Sequence, residues 1–326
     1  MKVLAGDVGG TNARLALVEV ADGRATIHAN RTYPSNDFPG LAPIVRTFCD
    51  EVGAEPVRAC FGVACPATDD ECRAPNLKWT VDAKTLAADI GVAHATLIND
   101  FTAAGHGIAL LGVQDVETLQ EGEPKPRAPI ALIGAGTGLG EGFLTWSGER
   151  YHVHPSEGGH GGFAPRGELQ AAFYNSLERE HGRVSSERVL SGRGIVAIYR
   201  FLASSGVAPE SATVRDAMEH EDPAAVITRH GLAGNDALCR KSLDLFIDAL
   251  GAEAGDLALT VLARGGVYLG GGIAPRIVAL LRQGGFVRAF RDKGRMSAYL
   301  ARVPVHVILN TQVALLGAAA VAAALP

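Results

Sequence analysis

Apolar residues along the chain fall into short continuous or alternating runs, separated by longer stretches with helical periodicity, the pattern of an α/β protein. The runs predict strands at Lys2–Ala5, Ala13–Val20, Ala25–Thr32, Arg58–Ala64 and Ala95–Asn99. Helical spacing predicts helices over Gly40–Val52, Asp82–Asp89 and Asp100–Leu110. The stretch Glu121–Pro129, with its three prolines and several charges, predicts a linker or exposed loop. Beyond it, Ile130–Ile133 predicts a buried strand and Glu141–Trp146 a returning one, with the glycine turn Gly134–Gly140 between them. The second half is more helical, with predicted helices at Glu168–Gly182, Gly192–Ser204, Thr213–Glu221 and from Asn235 to Ala263. A strand at Gly266–Leu269 runs into Gly270-Gly271-Gly272, and the chain closes with the strand Val305–Leu309 and an Ala-rich helix from Val313 to Ala324.

The sharpest local signal is Gly6-Asp7-Val8-Gly9-Gly10-Thr11-Asn12, a glycine turn set between two strand-like runs. Glycine-rich phosphate loops commonly run from a strand into a helix. This one runs from strand to strand, and the element recurs as Gly134-Ala135-Gly136-Thr137-Gly138-Leu139-Gly140. Neither GxGxxG nor GxxxxGK[ST] fits, because Leu139 stands where the first would need glycine and the second occurs nowhere. A plain tight hairpin explains either copy alone. Two copies, each with a threonine, point instead to anion binding, since successive glycine amides form a concavity that phosphate oxygens can approach. Asp7 beside phosphates is unfavourable by itself, so a divalent cation is expected to reconcile the charges; magnesium, which keeps several waters, suits that role.

Composition narrows the classes. With 326 residues, 47% of them hydrophobic and 20% charged, the chain is long enough for two ordinary domains and reads as globular. A net charge of −5 argues against a nucleic-acid partner. The five cysteines (Cys49, Cys60, Cys65, Cys72 and Cys239) are odd in number and lack CxxC spacing, as expected of free thiols in a reducing compartment. The apolar run Val313–Leu325 is too short and too interrupted to span a bilayer, and no basic segment precedes an apolar stretch at the start. A cytoplasmic location, with no membrane partner, is the expectation.

Three further segments carry candidate chemistry. Asn99-Asp100 ends a predicted strand and opens a predicted helix, so either residue can be a helix cap, or Asp100 can be a general base at the end of a strand, where α/β proteins place their ligands. The segment His152–His160 holds three histidines and Glu157 among glycines, consistent with a zinc site, a plain loop, or a loop that supplies paired donors and acceptors to sugar hydroxyls. Glu187 can be an acidic residue favoured in a helix's first turn or a ligand contact.

Five segments occurring in order resemble the bacterial ATP-dependent glucokinase family, of the sugar-kinase, heat-shock-protein and actin superfamily. They are Gly6–Leu17, Ile98-Asn99-Asp100-Phe101, Gly136-Thr137-Gly138-Leu139-Gly140, His154-Pro155-Ser156-Glu157-Gly158-Gly159-His160 and Gly270-Gly271-Gly272-Ile273-Ala274-Pro275-Arg276, and they span nearly the whole chain. The resemblance implies a two-domain actin-like ATPase (ribonuclease H-like) α/β fold with ATP and sugar in the interdomain cleft. It implies a small domain of residues 1–110 plus 301–326 and a large one of 111–300. The implied reaction moves the γ-phosphoryl group of ATP to the 6-hydroxyl of D-glucose, with Asp100 as base. In that reading Asn76, Asn99, Asp100, Glu157, His160 and Glu187 contact the sugar. Gly6, Asp7, Val8, Gly9, Gly10, Thr11, Asn12, Gly136, Thr137 and Gly138 belong to the phosphate site, and Gly270, Gly271 and Gly272 border the adenosine. Asp7 would hold Mg2+ through water, and a homodimer is implied.

Two departures qualify the likeness. The related ROK-type kinases carry a zinc site on clustered cysteines after their histidine motif, whereas here no cysteine lies between Cys72 and Cys239, so no zinc is expected. Ala135 stands where the family often has proline, a change of loop stiffness only. Rival readings are a kinase of mannose, N-acetylglucosamine or a non-sugar acceptor, a sugar-responsive regulator, and an ATP-driven chaperone or filament subunit. The sequence offers neither an N-terminal DNA-binding segment nor a polymerising or peptide-binding region to favour the last two.

Overall fold

Two β-sheets organise the chain, and each grows from one of the two glycine hairpins. The computed structural model describes residues 2–21, 23–64, 71–72 and 77–326, with backbone alone at 71 and 72. Its elements begin with β1 (Lys2–Val8), β2 (Asn12–Ala21), β3 (Arg24–Pro34), α1 (Leu41–Val52), β4 (Arg58–Val63), the short β5 (Glu71–Cys72) and β6 (Val81–Asp82), α2 (Leu86–Ile90), β7 (His94–Asn99) and α3 (Asp100–Gly107). Then come β8 (Val116–Gln120), β9 (Ile130–Ala135), β10 (Leu139–Trp146), β11 (Tyr151–Ser156), α4 (Gly167–His181), α5 (Ser186–Val189), α6 (Gly192–Ser204), α7 (Ala212–His220), α8 (Pro223–Ala233) and α9 (Ala237–Thr260). The chain ends with β12 (Gly266–Gly270), α10 (Val278–Leu281), α11 (Gly285–Arg291), α12 (Ser297–Leu300), β13 (Val305–Ile308) and α13 (Val313–Ala323). Packing divides it into two units: Met1–Asp115 with Glu149–Pro155 and Asn310–Pro326, and Val116–Gly148 with Ser156–Leu309.

In the first unit the strand order is β3-β2-β1-β4-β7. The β1–β2 hairpin is antiparallel, while β4 and β7 add in parallel on the far side of β1. The second unit repeats the plan, with an antiparallel β10–β9 hairpin followed by parallel β12 and β13, and β8 closing the edge antiparallel to β13. The repetition seen in the glycine turns therefore extends to sheet topology.

Both faces of the first sheet are covered. Leu4, Val8, Leu15 and Phe61 pack with Ile44 and Phe48 of α1 on one side, and Val3, Ala5, Ala16, Val18 and Cys60 pack with Leu315, Ala318, Ala319 and Ala322 of α13 on the other. The period-2 alternation of β1 serves these two cores at once. The alanine and glycine content of α13 follows from its close approach to α3: a Cβ on Gly317 would overlap the Ala103 carbonyl, and one on Gly107 would overlap the Val313 carbonyl. Among the described residues no helix is long and apolar enough to cross a membrane. In the second unit α9 is apolar around most of its circumference because it is the central helix of the largest core, buried from Leu238 and Cys239 through Leu257 and Ala258.

Two expectations need correction. The helix expected from Asp82 starts at Leu86, because the Asp82 carboxylate accepts the Lys84 amide at 2.8 Å and holds a turn instead. His152–His160 is not one loop, since Tyr151–Ser156 is strand and Gly158–His160 a 3-10 turn. Glu121–Pro129 is an exposed loop, one of the two expected forms; it lies inside one unit and is strapped down, with Glu123 N donating to Arg302 O at 2.7 Å, Lys125 N to Arg264 O at 2.8 Å, and buried Arg264 reaching back to Glu123 O at 2.7 Å. Helix α8 was not anticipated, although its signals are in the chain: Asp222 caps Ala225 N at 2.8 Å, Pro223 opens the first turn, and Gly234 closes it in the left-handed region.

Candidate active site

The first unit assembles its candidate groups at the C-terminal ends of β1, β4 and β7. Asp7 pairs in register with Gly62, Gly62 with Ile98, and Val63 with Asn99, so Asp7 and Asn99-Asp100 stand two strands apart at one level. Gly62 permits the approach of α3, since a Cβ there would lie 3.0 Å from the Ala103 Cβ and 3.5 Å from the Asp100 Cα. Asn99 is the α3 cap, its Oδ1 accepting Phe101 N at 2.9 Å and Thr102 N at 3.1 Å. Asp100 occupies the first helical turn, where the helix dipole favours a carboxylate, and its Oδ1 also accepts Phe101 N, at 2.8 Å. Burial nevertheless raises the Asp100 carboxyl above the usual aspartate range, outweighing that hydrogen bond. Asp7 is raised too, by burial first; Arg14 opposes the shift and Asp100 adds to it, which makes the two carboxylates electrostatic neighbours.

The β1–β2 turn is held from behind. Ser35 Oγ donates to Gly9 O at 2.7 Å, Ser35 N to Thr11 O at 2.9 Å, and Asn36 Nδ2 to Gly10 O at 3.0 Å. Buried Trp79 in turn donates its indole N–H to Ser35 O at 3.0 Å. With three carbonyls engaged, the turn is left with amides to offer, and among the described residues the Gly10 and Thr11 amides make no backbone hydrogen bond. That is the arrangement of an anion-binding nest. Gly6 and Val8 face the core: a Cβ on Gly6 would overlap the Phe61 ring, and Val8 is 1% exposed. Gly9 donates across the turn to Asn12 O at 2.9 Å. Asn76 lies outside the described residues.

The second unit gathers the rest. Gly136 N donates to Gly138 O at 2.8 Å to form the β9–β10 turn, and Gly192 N at the start of α6 donates to Gly136 O at 2.9 Å. The Glu187 carboxylate lies against the same turn, accepting Leu139 N at 3.1 Å and filling the space a side chain on Gly138 would need. The glycine run after β12 packs beside it. Gly271 has φ +76° and would overlap Ala135 with any Cβ, Ile273 N donates to Ala135 O at 3.1 Å, and Gly272 N lies 3.9 Å from where a Gly136 Cβ would be. Glu157 and His160 are exposed, with Oε2 and Nε2 3.7 Å apart. Arg183 anchors the turn through His160 O at 2.8 Å. Among the described residues no three His, Cys, Asp or Glu side chains cluster as a metal site would require.

Gly136, Thr137, His160, Glu187, Gly272 and Arg276 line one cavity of about 1440 Å³ within this unit. Arg188 and Arg193 line it as well, and among the described residues the guanidinium groups of Arg188, Arg193 and Arg276 make no hydrogen bond or salt bridge. These arginines, with Ser35 and Asn36, are the site residues that sequence reasoning missed. The available signal for two of them was Ser191-Gly192-Arg193-Gly194, a helix start whose Ser191 caps Gly194 N at 3.2 Å beside the second glycine turn, preceded by Arg188 on α5.

The family profile described as Glucokinase matches residues 4–325. The chain belongs to the glucokinase family. A glucokinase of Nostoc sp. (strain PCC 7120) is 47% identical to it over 99% of both chains. The crystal structure of glucokinase from an Antarctic psychrotroph superposes with a TM-score of 0.88 at 35% identity, covering 99% of this chain and 98% of the other. A ROK family glucokinase from Streptomyces griseus, in complex with glucose and AMPPNP, shares the fold at a TM-score of 0.66 and 21% identity, covering 99% of each chain. This glucokinase-family chain is thus an ATP-dependent hexose kinase with the actin-like ATPase fold.

Proposed function

We propose that this chain phosphorylates D-glucose at its 6-hydroxyl, with Asp100 taking the hydroxyl proton. The observation that carries the reading is a half-buried carboxylate directly after β7, raised above its usual range, in the same unit as a hairpin turn with unengaged amides. The glucose 6-oxygen attacks the γ-phosphorus, a new O–P bond forms, the bond to the β,γ-bridging oxygen breaks, and ADP leaves with that electron pair. A base whose affinity for protons is raised by burial suits the developing acidity of the attacking hydroxyl. Asn99, already fixed by capping α3, and Glu157, His160 and Glu187 orient the sugar, as the family resemblance implies. Asn76 joins them by family resemblance.

For the nucleotide, Gly9–Asn12 and Gly136–Gly138 supply turn amides, with Thr11 and Thr137 adding hydroxyls; Gly6 and Val8 support the first turn from the core. Gly270–Gly272 border the adenosine, and Arg193 and Arg276 offset phosphate charge. The donor set fits magnesium: Asp7 is an oxygen ligand at the tip of β1, and its burial cost with Asp100 beside it would be relieved by a cation. Bound through water at Asp7, magnesium would supply charge neutralisation at the phosphates. We assign Asp7, the first glycine turn, Asn99 and Asp100 to the first unit and the remaining groups to the second, in a cytoplasmic homodimer that acts on glucose and ATP and not on nucleic acid or membrane. Free thiols at Cys49, Cys60 and Cys239 agree with a reducing compartment.

The test is ATP-dependent ADP release by the purified chain across a hexose panel. Glucose should be turned over with the highest kcat/KM. A preference for mannose or N-acetylglucosamine would replace the substrate while leaving the chemistry in place.

A further inference from the structure

The cavity beside the second glycine turn extends along an apolar wall. Gly192 opens α6 at the turn itself: a Cβ there would lie 3.6 Å from Gly136 O and 3.7 Å from the Ala224 Cβ, so the turn and the starts of α6 and α8 crowd around one point. Ile195 and Val196 of α6 and Ala224 of α8 line the cavity. Ile273, whose amide donates to Ala135 O at 3.1 Å, lines it from the glycine run after β12. At about 1440 Å³ the space holds a whole nucleoside polyphosphate, and its aliphatic lining suits the flat faces of a base.

One charged group interrupts that wall. Asp222 lines the cavity as the cap of α8, its Oδ1 accepting Ala225 N at 2.8 Å. Among the described residues its Oδ2 makes no hydrogen bond or ion pair. The cation nearest in sequence is taken, since Arg229 is held by Glu221 at 2.6 and 2.9 Å. The hydroxyls on the same walls are engaged too: Thr228 Oγ1 donates to Ala224 O at 2.7 Å, and Ser191 Oγ accepts Gly194 N at 3.2 Å. Of the α8 residues that line the cavity, Asp222 alone is charged.

An apolar slot with one free carboxylate oxygen selects a ring that carries a donor on its edge. Adenine presents a 6-amino group, whereas guanine presents a 6-carbonyl acceptor at the same place. A carboxylate can read guanine through both oxygens at once, taking the N1–H and the 2-amino group; here one oxygen is committed to Ala225 N, and that paired reading is closed. Guanine would set acceptor against acceptor and lose more than a hydrogen bond.

We infer that Asp222 is the base-reading residue of the nucleotide site. Adenine lies between the α6–α8 wall and Ile273, its 6-amino group donates to Asp222 Oδ2, and the phosphates run to the Gly136–Gly138 turn. Asp222 takes no part in phosphoryl transfer; it sets which nucleoside triphosphate serves as donor. The inference rests on the reading of that turn and of Gly270–Gly272 as the ATP site.

Calorimetry on the full chain tests it through the dissociation constants of ADP and GDP, each with magnesium, for the wild type, Asp222→Asn and Asp222→Ser. Asparagine and serine cap helices about as well as aspartate, so α8 keeps its start in both variants. The wild type should bind ADP about tenfold or more tighter than GDP, the worth of a hydrogen bond to a charged group. Asp222→Asn, whose amide can donate to the guanine 6-carbonyl, should bring the two within about twofold or favour GDP. Asp222→Ser should weaken ADP about tenfold and GDP little. Equal affinities in the wild type, no binding of either nucleotide, or a preference unchanged in both variants would overturn the inference. Turnover separates it from the reading it rests on. If the wild type fails to phosphorylate glucose with ATP while the ADP preference still vanishes in Asp222→Asn, the base-reading role stands and the proposed reaction falls.

Discussion

At the scale of single residues, burial works against the charged forms of Asp7 and Asp100 in the free protein. Both carboxyls are raised, with burial the largest cause. A carboxyl raised on folding stabilises the folded state relative to neutral conditions only below its unfolded value, and that contribution is lost as pH rises through the folded value. Asp100→Asn should therefore melt higher than the wild type at neutral pH, and the gap should shrink towards acid, near the ordinary aspartate value of about 3.9. The same variant should retain glucose binding and lose on the order of 10²–10⁴ in kcat, the usual worth of a general base. Calorimetry of both proteins with and without glucose, alongside turnover, reads stability, binding and catalysis together. The roles open at Asn99-Asp100 were legible in the chain as alternatives. The structure makes Asn99 a cap and leaves Asp100 with one carboxylate oxygen bound to its own helix turn. Arg276 was not legible, because an arginine on a loop segment carries no mark of the cavity it will line until tertiary contacts form.

At the scale of elements, the hairpins were readable because glycine, threonine and flanking apolar runs are local signals, whereas what braces them is not. Ser35 lies 26 residues from the Gly9 carbonyl it holds. Ser35→Ala leaves that partly buried carbonyl without its partner and should cost about 1 kcal/mol of stability, together with a raised KM for ATP and little change in the KM for glucose. An unchanged ATP KM would detach the brace from nucleotide binding. Helix α13 follows the same logic from the packing side. Its alanine-rich sequence read as an apolar helix too short to span a bilayer, and the reason for its small residues is the α3 backbone in contact. Gly317→Ala forces a methyl into the Ala103 carbonyl and should lower stability by about 1–3 kcal/mol, measured by denaturant unfolding. The errors at Asp82–Asp89 and His152–His160 share a cause. An Asx turn in one and strand formation in the other set boundaries that hydrophobic periodicity does not encode.

At the scale of the whole molecule, one plan is used twice: hairpin, glycine turn, then two parallel strands. Each copy presents its turn at strand ends, and each is supplemented by its own chemistry, carboxylates in the first unit and arginines with Glu157, His160 and Glu187 in the second. Ligands that bind only the folded form should stabilise it by linkage, by about 2.7 kcal/mol at a hundred times their dissociation constant. Glucose should raise the melting temperature of the wild type and of Asp100→Asn alike, and raise that of Glu157→Ala much less. The duplicated plan was visible in the sequence through the recurrence of the Gly/Thr turn, while the identity of the acceptor came mainly from family resemblance. A sugar's hydroxyl pattern is read by side chains whose positions are set only after folding.

Every role proposed for this glucokinase-family chain depends on its forming glucose 6-phosphate with Asp100 as the base. Product analysis by phosphorus NMR of purified wild type and Asp100→Asn, each incubated with glucose, ATP and magnesium, tests it most directly. Phosphate should appear on the 6-oxygen alone for the wild type, and for the variant the same product only at a rate lower by about 10²-fold or more. Phosphate on another oxygen, or formation by the variant at close to the wild-type rate, would contradict it.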